Sequence, residues 1–160
     1  MTLDIVNLRD ARQFFPDVAD RVWRAWWKPN GEPLSELEQE LSGVVAATEF
    51  PFTLVAVSDG AFAGTVTAIT SDLDERPELT PWVAALWVDP EFRRAGIAKA
   101  LVERAVETMF AQGHPQVYLY AIPTLQAFYL GLGWTLLEER FGKYGVDIFV
   151  RHPPSAEHPA

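Results

Sequence analysis

The stretch Leu86-Trp87-Val88-Asp89-Pro90-Glu91-Phe92-Arg93-Arg94-Ala95-Gly96-Ile97-Ala98-Lys99-Ala100 constrains this chain more than any other. It begins as an apolar strand, turns at Asp89-Pro90, and enters a helix through a short basic loop that contains one glycine. The first turn of a helix carries backbone N–H groups with no intrahelical partner, and the helix macrodipole adds partial positive charge there. Gly96 lacks the Cβ that would hold a ligand away from the backbone. The small side chains of Ala95 and Ala98 keep the approach open, and Arg93, Arg94 and Lys99 add cationic charge. A strand–loop–helix unit of this make-up suits a pyrophosphate. It is neither of the two more familiar phosphate loops. The Gly-x-x-x-x-Gly-Lys-Ser/Thr pattern and the three spaced glycines of a dinucleotide fingerprint are both missing from the sequence.

The rest of the chain supplies alternating short elements. Leu3 to Leu8 reads as a strand and Arg9 to Phe15 as a helical turn. Pro16 suits a first helical position. Phe15, Val18, Ala19, Val22, Trp23 and Trp26 then recur at helical spacing, so an amphipathic helix is expected to run to about Trp27. Lys28-Pro29-Asn30-Gly31 ends it. Ser35-Glu36-Leu37-Glu38 reads as a capping box opening a second helix, Glu36 to Ala47, with Leu37, Leu41, Val44 and Val45 buried. Phe52 to Ser58 and Gly64 to Ser71 read as a hairpin about Asp59-Gly60. Asp72 to Glu78 is an acidic loop expected to be mostly solvated. Trp82 to Val88 is nearly all apolar, which suggests a central strand. Gly96 to Gln112 is an amphipathic helix stopped by Gly113 and Pro115. Val117 to Ile122 is a strand, Pro123 to Leu132 a short helix, and Trp134 to Glu139 with Val146 to Val150 a last hairpin. A strand–helix–strand order here implies a right-handed parallel crossover.

Composition narrows the function classes. The 160 residues, 49% of them hydrophobic, suit one folded domain over residues 1–152 followed by a Pro-rich, flexible tail over 153–160. No apolar run approaches the ~18–20 residues of a membrane span, and the start of the chain lacks the features of a signal peptide. With no cysteine, disulfides, thiolate metal sites and a cysteine nucleophile are excluded, and a cytoplasmic location is expected. The 13 basic and 22 acidic residues give a net charge of −9, which argues against nucleic acid and is compatible with a cationic small substrate such as an amine. His114, His152 and His158 are dispersed, so no metal is expected. No Gly-x-Ser-x-Gly elbow occurs.

Arg93-x-x-Gly96-x-Ala98, preceded by Leu86-x-Val88-x-Pro90, resembles the acetyl-CoA signature of the GNAT superfamily of N-acetyltransferases. A second segment, Ala127-Phe128-Tyr129-Leu130-Gly131-Leu132-Gly133-Trp134, resembles the Phe-Tyr-x-x-x-Gly-Phe/Trp segment of the same family. The resemblance spans roughly Leu3 to Val150 in element order. It implies an α+β fold: a central mixed β-sheet of about six to seven strands flanked by about four helices. It also implies acetyl-CoA as co-substrate. Leu86, Trp87 and Val88 would lie along the pantetheine arm, and Arg93, Arg94, Ala95, Gly96, Ile97, Ala98 and Lys99 would hold the pyrophosphate. A backbone N–H near Leu86 or Trp87 would stabilise the thioester oxyanion. Tyr129 would protonate the departing thiolate. That chemistry is reasonable, because a phenol of pKa near ~10 stays protonated at neutral pH and can donate to a thiolate whose thiol has a pKa near ~8.5.

The acceptor side is less defined. The strand Trp82 to Val88 holds no carboxylate, where family members often place the base, and Ile122 stands where many carry Asn. Tyr118 and Tyr120 share one face of their strand by alternation and are candidates for substrate contact or a proton relay. Asp72, Asp74, Glu75, Glu36, Glu38 and Glu40 are the acidic candidates for a base. Trp23 and Trp26 fall on the apolar stripe, whereas Trp27 is expected to face an acceptor pocket or the partner of a homodimer. The expected activity is acetyl transfer from acetyl-CoA to a primary amine by direct attack on the thioester. The alternative is a non-catalytic acyl-CoA-binding regulatory module.

Overall fold

The computed structural model describes residues 2–154, so the expected tail lies from residue 155 onward outside the described residues. Its strands are β1 (Leu3–Asn7), β2 (Phe52–Ser58), β3 (Ala61–Ile69), β4 (Trp82–Val88), β5 (Val117–Ala121), β6 (Thr135–Phe141) and β7 (Val146–Arg151). The helices are α1 (Phe15–Val22), α2 (Leu34–Ala46), α3 (Ile97–Ala111) and α4 (Gln126–Gly131). The seven strands follow the order β1-β2-β3-β4-β5-β7-β6 in one mixed sheet, an α+β arrangement of the kind the sequence implied. Among the described residues no helix is long and apolar enough to cross a membrane.

The described chain divides into two compact units, residues 2–69 with 83–105 and residues 70–82 with 106–154. In the first, β1, β2 and β3 pair antiparallel. Asp59 and Gly60, at φ 49° and 84°, make the left-handed two-residue turn that hairpins favour. All of β2 is buried. Its polar groups are satisfied by partners on β3: Thr53 and Thr67 share a hydroxyl hydrogen bond of 2.9 Å, and Thr65 donates to the Leu54 carbonyl at 2.8 Å. Leu8, Val18, Ala19 and Val22 from the α1 side and Leu37, Leu41 and Val45 of α2 pack with Val55, Val57 and Phe62 into this unit's core. Gly64 sits beside a bulge, where Ala56 pairs with Gly64 and Val57 with Phe62. A Cβ on Gly64 would lie 2.7 Å from the Trp87 carbonyl oxygen, so the missing side chain lets the end of β4 come close.

Two local expectations fail in this unit. Helix α2 starts at Leu34 with Pro33, in extended conformation, at its N-cap, and no side chain caps it. Starting two residues earlier places the partly buried Leu34 against the core, and that apolar contact takes the place of the ~1 kcal/mol a Ser35 cap would add. The first helix changes pitch: Trp23–Trp27 is a π segment, closed by Lys28 N–H donating to the Trp23 carbonyl. The extra residue in that turn shifts the phase of the apolar stripe. Trp27 therefore packs against the core with Trp23, and Trp26 is the exposed tryptophan, reversing the sequence assignment.

In the second unit, β7 pairs antiparallel with both β5 and β6. Parallel pairing of β4 with β5 occurs at Trp82 and Tyr118, both of this unit. The acidic loop is more ordered than expected. The Arg76 guanidinium makes a two-pronged ion pair with Glu138 on β6, at 2.8 and 3.0 Å, and lies 4.0 Å from the centre of the Phe141 ring. Asp74, Glu75, Pro77 and Glu78 are exposed, as expected for a solvated loop.

Candidate functional site

The first unit contains the basic loop. Strand β4 is kinked at Ala85, whose φ of 52° is rare for a residue with a side chain. Such a conformation persists only where its surroundings fix it, and the close approach allowed by Gly64 lies just beyond, at Trp87 and Val88. Pro90–Phe92 form a single 3-10 turn, with Phe92 N–H donating to the Asp89 carbonyl at 2.9 Å. The chain then passes through Arg94 at φ 66° and Gly96 at φ 80° before α3 begins at Ile97. Residues 93–96 are exposed, and an added Cβ at Gly96 would meet nothing within 4 Å. This is an open loop, strongly turned, at the start of a 15-residue helix. It has the backbone shape and the free approach that a diphosphate needs.

The side chains around the loop do not all match the sequence reading. Arg94 and Lys99 are exposed. Arg93 turns back instead: its Nε donates to the Val88 carbonyl at 2.8 Å, and its guanidinium lies 4.8 Å from the Trp87 ring centre. Its role in the structure is to hold the loop against the strand. Ile97 is 1% exposed and anchors the first turn of α3 in the core, so its backbone is the part that can serve a ligand. Leu86, Trp87 and Ala98 are half-buried and Val88 is buried.

Beneath the loop lies Asp89, 5% exposed. It accepts from Arg21 Nε at 3.0 Å, from a terminal Arg21 nitrogen at 3.1 Å, and from Trp87 Nε1 at 2.7 Å. Burial opposes its charge. The hydrogen bonds from Arg21 and Trp87, with the charges of Arg21 and Arg93, outweigh that and hold the carboxyl below the usual carboxylate range. The bond to Asp89 raises the Arg21 pKa in turn. Sequence reading did not single out Arg21 or Asp89. An acid before Pro reads only as a turn, and Arg21 occupies a gap in the α1 stripe.

The second unit contains the phenol. Tyr129, on α4, is buried in an aromatic cage: Phe128 and Trp134 meet it edge-on at 5.0 and 6.4 Å between ring centres, and Phe149 of β7 at 5.6 Å. Burial pushes its pKa up to about 12. Leu132, Gly133 and Trp134 N–H groups close the end of α4 onto the carbonyls of Tyr129 and Leu130, which places Trp134 back over Tyr129. The Phe-Tyr…Gly-Trp spacing thus builds the cage directly.

Tyr118 and Tyr120 on β5 flank one fully buried residue, Trp82, at 5.6 and 6.1 Å. Tyr118 is half-buried in that packing, while Tyr120 is 37% exposed. The Tyr120 pKa is pushed up to about 12, by burial and then by the negative charges of Asp72 and Glu75. Asp72 itself is pushed up to about 7, chiefly by burial and also by Asp74. The charges of Asp72 and Glu75 in the acidic loop therefore act on the Tyr120 phenol. This carboxylate lay among several indistinguishable acids in the sequence.

Trp27, Leu86, Trp87, Val88 and residues 93–99 thus belong to the first unit, and Tyr118, Tyr120 and Tyr129 to the second. Within the first unit the strand end and the loop are joined by hydrogen bonds, and Trp27 packs half-buried against the core. Within the second, Tyr118 and Tyr120 share Trp82, and Tyr129 has its own aromatic surroundings.

The family model described as Acetyltransferase (GNAT) family matches residues 15–134. No curated protein sequence matches the chain. Solved structures share the fold. An aminoglycoside 6'-N-acetyltransferase complexed with coenzyme A superposes with a TM-score of 0.72 at 15% identity, covering 98% of this chain and all (100%) of that one. The spermidine/spermine N-acetyltransferase of Vibrio cholerae gives 0.67 at 16%, covering 94% of this chain and 95% of that one. A GNAT-family acetyltransferase of Staphylococcus aureus Mu50 gives 0.65 at 17%, with 94% and 99% covered. At these identities the likeness is one of fold.

Proposed function

This chain belongs to the GNAT acetyltransferase family, and from that premise we propose that it transfers an acetyl group from acetyl-CoA to a primary amine by direct attack on the thioester. The observation that carries the reading is the open left-handed turn through Arg94 and Gly96 at the start of α3. Its backbone N–H groups, with the charges of Arg94 and Lys99, are the groups that would hold the CoA diphosphate. The half-buried backbone of Leu86 and Trp87, next to the kink at Ala85, would lie along the pantetheine arm and supply the oxyanion donor. When bound, acetyl-CoA supplies an activated acyl group.

Two further residues carry protons in this proposal. Tyr129 is held neutral at physiological pH by burial, and among the described residues no hydrogen bond to its hydroxyl is seen, so its proton is available for the departing thiolate. Asp72, whose pKa of about 7 sits near the working pH, is the acceptor for the proton an amine must lose, and it takes the place of the carboxylate that β4 lacks. The surrounding acids Asp74 and Glu75 would favour a cationic acceptor. The acting unit is taken as residues 1–152.

The test is release of CoA thiol from acetyl-CoA in the presence of a panel of small polyamines, aminoglycosides, amino acids and peptides with free N-termini. Release that depends on one amine class, with a matching acetylated product by mass, supports the proposal. Tight CoA binding with no release for any amine would favour a regulatory acyl-CoA-binding module instead.

A further inference from the structure

We infer that Arg21 and Asp89 are a positioning pair: by tying helix α1 to the end of β4 they pre-shape the Arg93–Gly96 loop, so that CoA affinity depends on an ion pair placed behind the groups that would do the contacting. The inference rests on the reading of that loop as the diphosphate site.

An exposed, left-handed loop is costly to hold in one shape. Arg93, Arg94, Ala95 and Gly96 bury little, and Arg94 holds a φ of 66° that a residue with a Cβ adopts only under constraint. Between α1 and the 3-10 turn that leads into the loop lies an open cavity of about 550 Å³, lined among others by Asp20, Arg21, Arg24, Trp87, Asp89 and Glu91. The tie across it is polar. Asp89 takes two hydrogen bonds from Arg21 and one from Trp87 on its carboxylate, its own N–H donates to the Ala63 carbonyl at 2.9 Å, and its carbonyl accepts the first hydrogen bond of the 3-10 turn. Trp87 in turn carries the Arg93 guanidinium on its ring, and Arg93 Nε is bound to the Val88 carbonyl. The chain of contacts therefore runs Arg21, Asp89, Trp87, Arg93, and ends at the first residue of the exposed turn. Arg21 is itself held in place by Asp20 at 2.8 Å, and its guanidinium lies 5.3 Å from the Phe62 ring centre.

A buried ion pair is a poor device for stability alone, since well-packed apolar residues do as well once desolvation is counted. It is a good device for fixing one geometry: a two-pronged guanidinium–carboxylate contact tolerates little rotation. If the binding-competent loop falls from nearly fully populated to about a tenth, apparent affinity falls about tenfold, because the apparent Kd scales inversely with the competent fraction.

The experiment uses the full chain. Backbone ¹⁵N relaxation at residues 93–97 is recorded without ligand, and CoA binding is measured by calorimetry, for wild type, Asp89→Asn, Arg21→Met, the double variant and an Arg24→Met control. Arg21→Met alone leaves a buried carboxylate unpaired and could unfold, so the double variant, which removes both charges, is the decisive protein. The expected result is a fall of the order parameters at 93–97 from about 0.85 to below about 0.6, a CoA Kd about tenfold higher, and an Arg24→Met protein like wild type. A folded double variant with a rigid loop and wild-type CoA affinity overturns the inference, as does equal loosening throughout the first unit. Gly96→Glu separates the two levels. Normal CoA binding there overturns the diphosphate reading, while the ligand-free relaxation still decides whether the pair shapes the loop.

Discussion

The basic loop and the Tyr129 pocket solve opposite problems. The loop is exposed, as the proposed charged ligand would require, and it is held from one side by ions: Arg21, Asp89 and Arg93. Tyr129, which we propose gives its proton to the departing thiolate, is surrounded by the uncharged rings of Phe128, Trp134 and Phe149. In the first place desolvation is opposed by paired charge, and the Asp89 pKa falls. In the second nothing opposes it, and the phenol pKa rises to about 12. Burial has the same sign in both. The partner decides which way the proton goes.

Several measurements would break or sharpen this contrast. The largest effect is expected at the open end of the loop. Gly96→Glu should weaken CoA binding about 100-fold or more, because a carboxylate would then stand among donors meant for a diphosphate. The φ of 80° there strains any residue with a side chain by about 1–2 kcal/mol, but a Cβ meets nothing, so the fold should survive. Calorimetry on the folded variant checks both points. Next, Tyr129→Phe keeps the cage and removes only the hydroxyl. It should lower kcat by about 10²-fold with little change in acetyl-CoA affinity; an unchanged kcat would leave the aromatic pocket a packing feature.

A third test strikes the strand between the loop and the core. Gly64→Ala drives a methyl group to 2.7 Å from the Trp87 carbonyl, so β4 must move. A loss of about 1–3 kcal/mol is expected in chemical denaturation, with CoA affinity reduced as Trp87 shifts. The smallest effect is at Asp72, a carboxyl whose charge is opposed by burial and by Asp74. Its folded pKa lies above the unfolded value of 3.8, so the folded state binds this proton more tightly than the unfolded one. The resulting penalty is absent below about pH 4 and grows as pH rises through about 7. Asp72→Asn should therefore raise Tm by about 2–4 °C at pH 8 and leave it unchanged at pH 4. In the enzyme assay the same change should flatten the rise of rate with pH near 7.

Much of this was legible in the residues. Strand β2 and the hairpin turn at Asp59-Gly60 fall where the apolar run and the turn pair placed them. Helix α3 runs Ile97–Ala111, within a residue of each expected end, because its apolar stripe and its Gly113 stop agree. The Phe-Tyr…Gly-Trp spacing brings Phe128 and Trp134 onto Tyr129 because they are a few residues apart, whereas Phe149 reaches the same ring from β7. Other features were not legible. A π turn has no signature in Trp23-Arg-Ala-Trp-Trp, yet it exchanges the roles of Trp26 and Trp27. A start at Leu34, which packs half-buried against the core after Pro33, replaced a good capping box.

What the sequence determined by itself was local: the order of elements, a basic turn before a long helix, and a phenol on a short helix. Each depends on spacing over a few residues, where chain connectivity already fixes neighbours. What only the tertiary structure decided was which charges meet. Arg21 and Asp89 lie 68 residues apart, and Asp72 gains its raised pKa from what folds around it. Coulomb and desolvation energies depend on distance and solvent exposure, and neither can be read from position along the chain.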